Sequence, residues 1–194
     1  MDKQRLEPFT DALIAIIMTI LVLDLKVPVS ESISESDLTQ ALIRQLPHFC
    51  GFLISFTLIT ILWFNHHDLL RSIAEPTRRF AKLNFLFIGA IALVPFSTSF
   101  AAEYPDKPIA VATLALNLFL MNIFLNFLFI YAITNKISTL GQHMPQRAKI
   151  KRAMGMIGTV AFLLSGIVAF LSPLVAIIMM VLVPVMHAIP VVER

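Results

Sequence analysis

The chain alternates long apolar blocks with short polar interruptions, and this pattern alone predicts its elements. Six blocks stand out: Phe9 to Val27, Phe49 to His66 with its apolar part ending at Phe64, Phe80 to Phe100, Ile109 to Thr134, Met154 to Leu171, and Leu174 to Ile189. Each is continuously apolar and close to the roughly 20 residues a helix needs to cross the bilayer, whereas a barrel strand would alternate over about ten. The expected fold is therefore all-α, with six transmembrane helices in a single domain over residues 1–194. The sixth block carries Pro184 and His187 and is the weakest of the set. Between the first two blocks, Ser30-Glu31-Ser32 reads as a polar loop. Ser36-Asp37 then reads as the cap of a short amphipathic helix bearing Leu38, Leu42 and Ile43. Ser172-Pro173 predicts a tight turn between the last two blocks.

Composition agrees. At 194 residues, 58% hydrophobic and 14% charged, with mean hydropathy +0.84, the chain departs from soluble domains and has no length to spare for a separate one. Cys50 is the single cysteine, which excludes an internal disulfide framework. Lys3 and Arg5 before the first block imitate a signal leader. Acidic Glu7 and Asp11, and an end at Asp24-Leu25-Lys26-Val27-Pro28 without a small-x-small pattern, instead predict a retained span. A net charge of +3 would suggest nucleic acid in a soluble protein; here it reads as topology. With the amino terminus inside, twelve Lys and Arg fall in inner segments and three, Lys26, Arg44 and Lys107, in outer ones, so both termini are expected in the cytoplasm.

Advancing about 100° per residue along the first helix places Ala12, Ile16, Thr19, Ile20 and Leu23 on one stripe, with Thr10 and Asp11 facing the other way. Such a stripe fits lipid, a neighbouring helix or something else, and periodicity alone does not choose. The predicted topology gives Arg5, Thr10, Asp11, Trp63, His66, His67 and Asn84 a common depth. Because ionisable groups in or near the membrane need partners, a hydrogen-bonded cluster is expected, with Asp11 accepting from His66, His67 or Asn84.

Adjacent His66 and His67 point about 100° apart on a helix and lack companion ligands, so a metal site is not expected; hydrogen bonding or proton sensing remains open beside an ordinary interfacial pair. Asn117, Asn122 and Asn126 read as interhelical hydrogen-bonding groups, and Ala161, Ser165 and Ala169 as a close-packing face. No TVGYG-type filter, nucleophile elbow or phosphate-binding glycine loop is present, so no enzyme class is suggested.

Arg5-Leu6-Glu7-Pro8-Phe9-Thr10-Asp11 resembles the R-x-x-x-F-S-D signature that opens the first helix of the transmembrane protein 175 family, with Thr in place of Ser. Trp63-Phe64-Asn65-His66-His67, Asn84 and Pro95-Phe96 are similar to that family's later motifs. One six-helix unit resembles its prokaryotic form; the animal members, with two units, are lysosomal potassium channels with reported proton conduction. The resemblance implies a homotetramer around a central pore lined by first helices, in the plasma membrane of a prokaryote. It implies a hydrophobic gate at Ile16, further pore-facing positions at Thr19, Ile20 and Leu23, and an intrasubunit network of Arg5, Phe9, Thr10, Asp11, Trp63, His66, His67 and Asn84. The expectation it carries is a passive, potassium-permeable monovalent cation channel with no cofactor besides the permeant potassium ion. Two other classes stay open: a proton-coupled carrier or leak using Asp11, His66 and His67, and a non-conducting assembly subunit using the Ala161, Ser165 and Ala169 face.

Overall fold

The structure, a computed structural model, describes residues 2–26, 35–141 and 146–188; the Ser30-Glu31-Ser32 loop, Ile189 and Arg194 lie outside them. Its elements are α1 (Lys3–Val22), α2 (Glu35–Arg44), α3 (Leu46–Arg71), α4 (Arg78–Ala92), α5 (Val94–Glu103), α6 (Pro108–Thr134), a 3₁₀ turn (Thr139–Gly141), α7 (Gln146–Val168) and α8 (Pro173–Ala188). Among the described residues, three stretches are long and apolar enough to cross a membrane: Asp37–Arg71, Arg78–Glu103 and Pro108–Thr134. The later apolar helices Arg152–Val168 and Pro173–Met186 are shorter, and α1 carries Lys3, Arg5, Glu7 and Asp11 within its length.

Local chemistry sets the boundaries. Asp2 caps α1 by accepting the Gln4 N–H at 2.9 Å, and Thr77 caps α4 by accepting the Phe80 N–H at 3.1 Å. The apolar block over 80–100 is two helices, because at Leu93 the N–H turns back to Ala90 O and Pro95 in the next turn has no N–H to offer. The amphipathic segment forms α2 and runs through Gln45 directly into α3. Ser172 closes the α7–α8 turn, its N–H bonding to Val168 O at 2.8 Å.

The long α6 is the central post, packing against α3, α4, α5, α7 and α8. Between apolar helices in lipid, association rests on close fit and a few hydrogen bonds. On α7, Ser165 and Ala169 are fully buried, and a Cβ on Gly166 would sit 3.7 Å from Ala115 of α6. Asn126 of α6 donates to Thr159 of α7 at 2.9 Å and to Asn122 O at 3.1 Å. The small-residue face is thus spent inside the subunit, which removes it as the surface of an assembly protein.

α1 leans on α3, α4 and α5 at one side of this frame. At the end where α1 begins, the Lys3 ammonium donates to Ile73 O at 2.7 Å, and Ser72 and Ser138 hydroxyls meet at 2.6 Å. The start of α1 is thereby tied to the loops after α3 and α6. This end also holds Arg71, Arg78, Arg79, Lys82, Lys136, Lys149 and Arg152, and is called the basic end below.

Candidate pore helix and polar network

α1 has two unlike faces. Leu6, Thr10, Ile14, Ile17 and Leu21 are buried against the other helices. On the opposite side Ile16, Ile20 and Leu23 are 54%, 43% and 73% exposed, and Ala12 and Thr19 on the same stripe are exposed with them. The stripe expected from helical geometry is therefore left bare by the subunit. The Thr19 hydroxyl donates to Ile16 O at 2.7 Å, so its proton is committed to its own helix and its oxygen lone pairs are what the bare face presents.

Behind that face runs a buried hydrogen-bond chain. Thr10 Oγ1 donates to Leu6 O at 2.8 Å and so accepts from Asn84 Nδ2 at 2.8 Å. Asn84 Oδ1, the remaining acceptor, lies 2.6 Å from His66 Nε2, which must then carry the hydrogen. Thr10, Asn84 and His66 are all fully buried. His66 stacks on Phe87 with ring centroids 5.1 Å apart, and its Nδ1 is buried without a partner among the described residues.

A second limb lies beside it. Asp11 Oδ1 accepts from Trp63 Nε1 at 2.8 Å; the Trp63 ring stacks on His67 at 5.6 Å; and His67 Nδ1 is 3.6 Å from Glu7 Oε1. The expected partner of Asp11 is corrected here, since it accepts from Trp63 and not from His66, His67 or Asn84. Helix rotation explains this: residues 63 and 67 lie about 40° apart and share the α1-facing side of α3, while residue 66 is turned toward α4.

Of the remaining anticipated residues, Phe9 is 45% exposed and meets Phe85 of α4 edge to face at 5.7 Å. Arg5 is exposed and joins no hydrogen bond or ion pair of its side chain among the described residues. Glu7 was missed in the sequence although it lies one turn before Asp11, on the same face. At the opposite end, Ser99 donates to Asp24 at 2.7 Å, and His48 Nε2 lies 3.4 Å from Glu103. Ser55 and Thr98 share a hydrogen bond at 2.7 Å where α3 and α5 meet. Gly51 permits that approach, because an added Cβ would be only 3.0 Å from Thr98 Cγ2. The Ser99–Asp24 and Ser55–Thr98 contacts join distant segments through serine and threonine, which carry no sequence signal of pairing.

A helical bundle of this kind, with a polar network buried behind a first helix whose outer face is aliphatic and bare, is an integral membrane protein of the all-α class. Residues 5–95 match the sequence model of the family described as endosomal/lysosomal potassium channel TMEM175, a stretch that holds every network and stripe residue named above. A potassium channel of Streptomyces collinus is 37% identical over 103 residues, covering 53% of this chain and 49% of that protein. The human endosomal/lysosomal proton channel TMEM175 is 32% identical over 150 residues, 72% of this chain and 30% of the human one. The crystal structure of a lysosomal potassium-selective channel TMEM175 homolog from Chamaesiphon minutus superposes with a TM-score of 0.82 at 25% identity, covering 96% of both chains. The chain belongs to the TMEM175 family, a family of ion channels and not of enzymes. Its matched stretch spans about half the length of the first curated relatives.

Proposed function

We propose that this protein is the subunit of a potassium-permeable monovalent cation channel that conducts passively through a hydrophobic constriction. In this reading residues 1–194 form one channel domain, four copies surround an axis lined by α1, and both termini face the cytoplasm of a prokaryote whose plasma membrane holds the channel. The observation that carries it is the bare stripe Ile16, Thr19, Ile20 and Leu23 on a helix whose other face is fully used. Ile16 closes the axis by apolar contact and dewetting, and Thr19 oxygens replace part of the hydration shell of a passing ion. Arg5, Phe9, Thr10, Asp11, Trp63, His66, His67 and Asn84 act as scaffold, holding α1 at a fixed rotation. Relatives named potassium channels in bacteria support the ion assigned.

The test is potassium efflux from liposomes containing the purified protein. Flux above empty vesicles that follows the potassium gradient supports the reading; its absence from correctly inserted protein ends it. Replacing Thr19 with Val keeps the shape and removes the oxygen. Thr19→Val is expected to shift the potassium-to-sodium permeability ratio by roughly fivefold, about 1 kcal/mol of lost ion coordination. An unchanged reversal potential under bi-ionic conditions would take Thr19 out of that role.

A second reading is proton conduction, favoured by the buried His66–Asn84–Thr10 chain and by the name given to the human relative. Currents that reverse at the proton potential whatever the potassium gradient would install it in place of the first.

A further inference from the structure

At the end opposite the basic one, α3, α5, α6 and α8 part around an open-sided apolar cavity of about 210 Å³. Small residues make the room, Gly51 on α3 and Ala101 and Ala102 on α5. The near walls are reachable from outside: Cys50 is exposed, and Ile54 of α3 and Ile177 of α8 are partly exposed, while Leu118 of α6 closes the back. None of the lining residues is charged. Its two hydroxyls, on Ser55 and Thr98, bond to each other at 2.7 Å and ask little of an occupant. An engineered apolar cavity of roughly 150 Å³ stays dry and takes up benzene, so a space of this size and lining suits hydrocarbon better than water.

The depth of the cavity selects the source of that hydrocarbon. Cys50 lies four residues after α3 begins at Leu46, Ile54 eight, and Ile177 four after α8 begins at Pro173. At about 1.5 Å per residue these positions are roughly 6–12 Å inside their helix ends, past a headgroup layer of about 5–8 Å and among acyl chains. Leu53, one turn beyond Cys50, and Leu174, one turn before Ile177, continue the exposed apolar surface on the two helices. The cavity is therefore open to the chains that surround the bundle.

We propose that this cavity seats one acyl chain of a membrane lipid, which enters between α3 and α8 while its headgroup stays in the interface and is not gripped. With no charged residue in the lining, recognition rests on a linear apolar chain and not on the headgroup. α5, which supplies Ala101 and Ala102, also carries Ser99, whose hydroxyl holds Asp24 after the end of α1, so the occupant lies against the helix that fixes that end. The site needs only a chain embedded in a bilayer and stands or falls separately from the ion conducted.

Cys50, the single cysteine, stands at the mouth and reports occupancy. The rate at which a maleimide alkylates it is measured on the full chain purified in a steroid-based detergent without linear alkyl chains. Dioleoyl phosphatidylcholine, dioleoyl phosphatidylglycerol or glycerophosphocholine, the headgroup without its chains, is then added. Wild-type protein is expected to react roughly fivefold more slowly with either lipid and at an unchanged rate with glycerophosphocholine, since a seated chain shields the thiol in proportion to occupancy. Ile177→Phe and Ile54→Phe fill the cavity from two different helices, and in each the lipid effect is expected to fall below about 1.5-fold. Ile178→Phe makes the same change on the exposed face of α8 and is expected to keep the wild-type slowing. Folding of each variant is checked by its elution profile and thermal midpoint. No slowing in the wild type, slowing by glycerophosphocholine or by one lipid alone, or wild-type slowing in folded Ile177→Phe and Ile54→Phe proteins, where lipid covers the thiol from outside, would each overturn the proposal.

Discussion

Potassium efflux from vesicles carrying Ile16→Asn is expected to exceed that of the wild-type protein on the order of tenfold, equivalent to about 1.4 kcal/mol off the conduction barrier. Ile16 projects from the bare face of α1, one helical turn before Ile20 and at the level where the Thr19 hydroxyl hydrogen bonds back to Ile16 O. In the proposed tetramer, a ring of branched aliphatic side chains at that position would exclude water from a narrow passage, and an ion would have to shed hydration to cross it. Asparagine is similar in size but offers amide groups to water, so the substitution wets the constriction without rebuilding the helix. Ile16→Leu preserves volume and apolarity and is expected to stay within about twofold of wild type. Equal efflux from wild-type and Ile16→Asn protein, at equal reconstitution, would show that this face looks onto lipid.

Much of the bundle was legible because apolar blocks of helical length admit few other readings. The break at Leu93 was not. Pro8 and Pro184 lie inside α1 and α8, while Pro95 opens α5 after an interruption, so proline alone does not announce where a helix ends. The two faces of α1 followed from rotation about one axis, a property a single segment contains. Pairing across helices did not follow. Depth placed Asp11, Trp63 and the histidines together, but the rotation of α3 decided that Trp63 meets Asp11 and that His66 turns to Asn84. Likewise Ala161, Ser165 and Ala169 declared a close contact without declaring what it is made against.

The largest effect on stability is expected from Asn84→Leu, and the pattern of rescue identifies the network as a unit. In the wild-type protein the Asn84 amide serves both neighbours, giving to Thr10 and receiving from His66 in a site closed to water. Leucine removes both contacts, but their losses are unequal. Thr10 still donates to Leu6 O, so its hydroxyl keeps a partner. The His66 Nε2–H does not, and a buried donor without an acceptor costs about 1–3 kcal/mol, although hydrogen bonds measured between membrane helices average nearer 0.6 kcal/mol with a maximum near 1.7. Taking the overlap, a loss of about 1–1.7 kcal/mol lowers the thermal midpoint by roughly 2–7 °C for a chain of this size. His66→Leu in the same chain removes the orphaned donor, and the double variant is expected to recover about half of that loss while forfeiting the stack on Phe87. Thermal midpoints from fluorescence-detected elution of the wild type, both single variants and the double variant complete the cycle. Losses that simply add would mean that His66 and Asn84 act as independent groups and not as one buried unit.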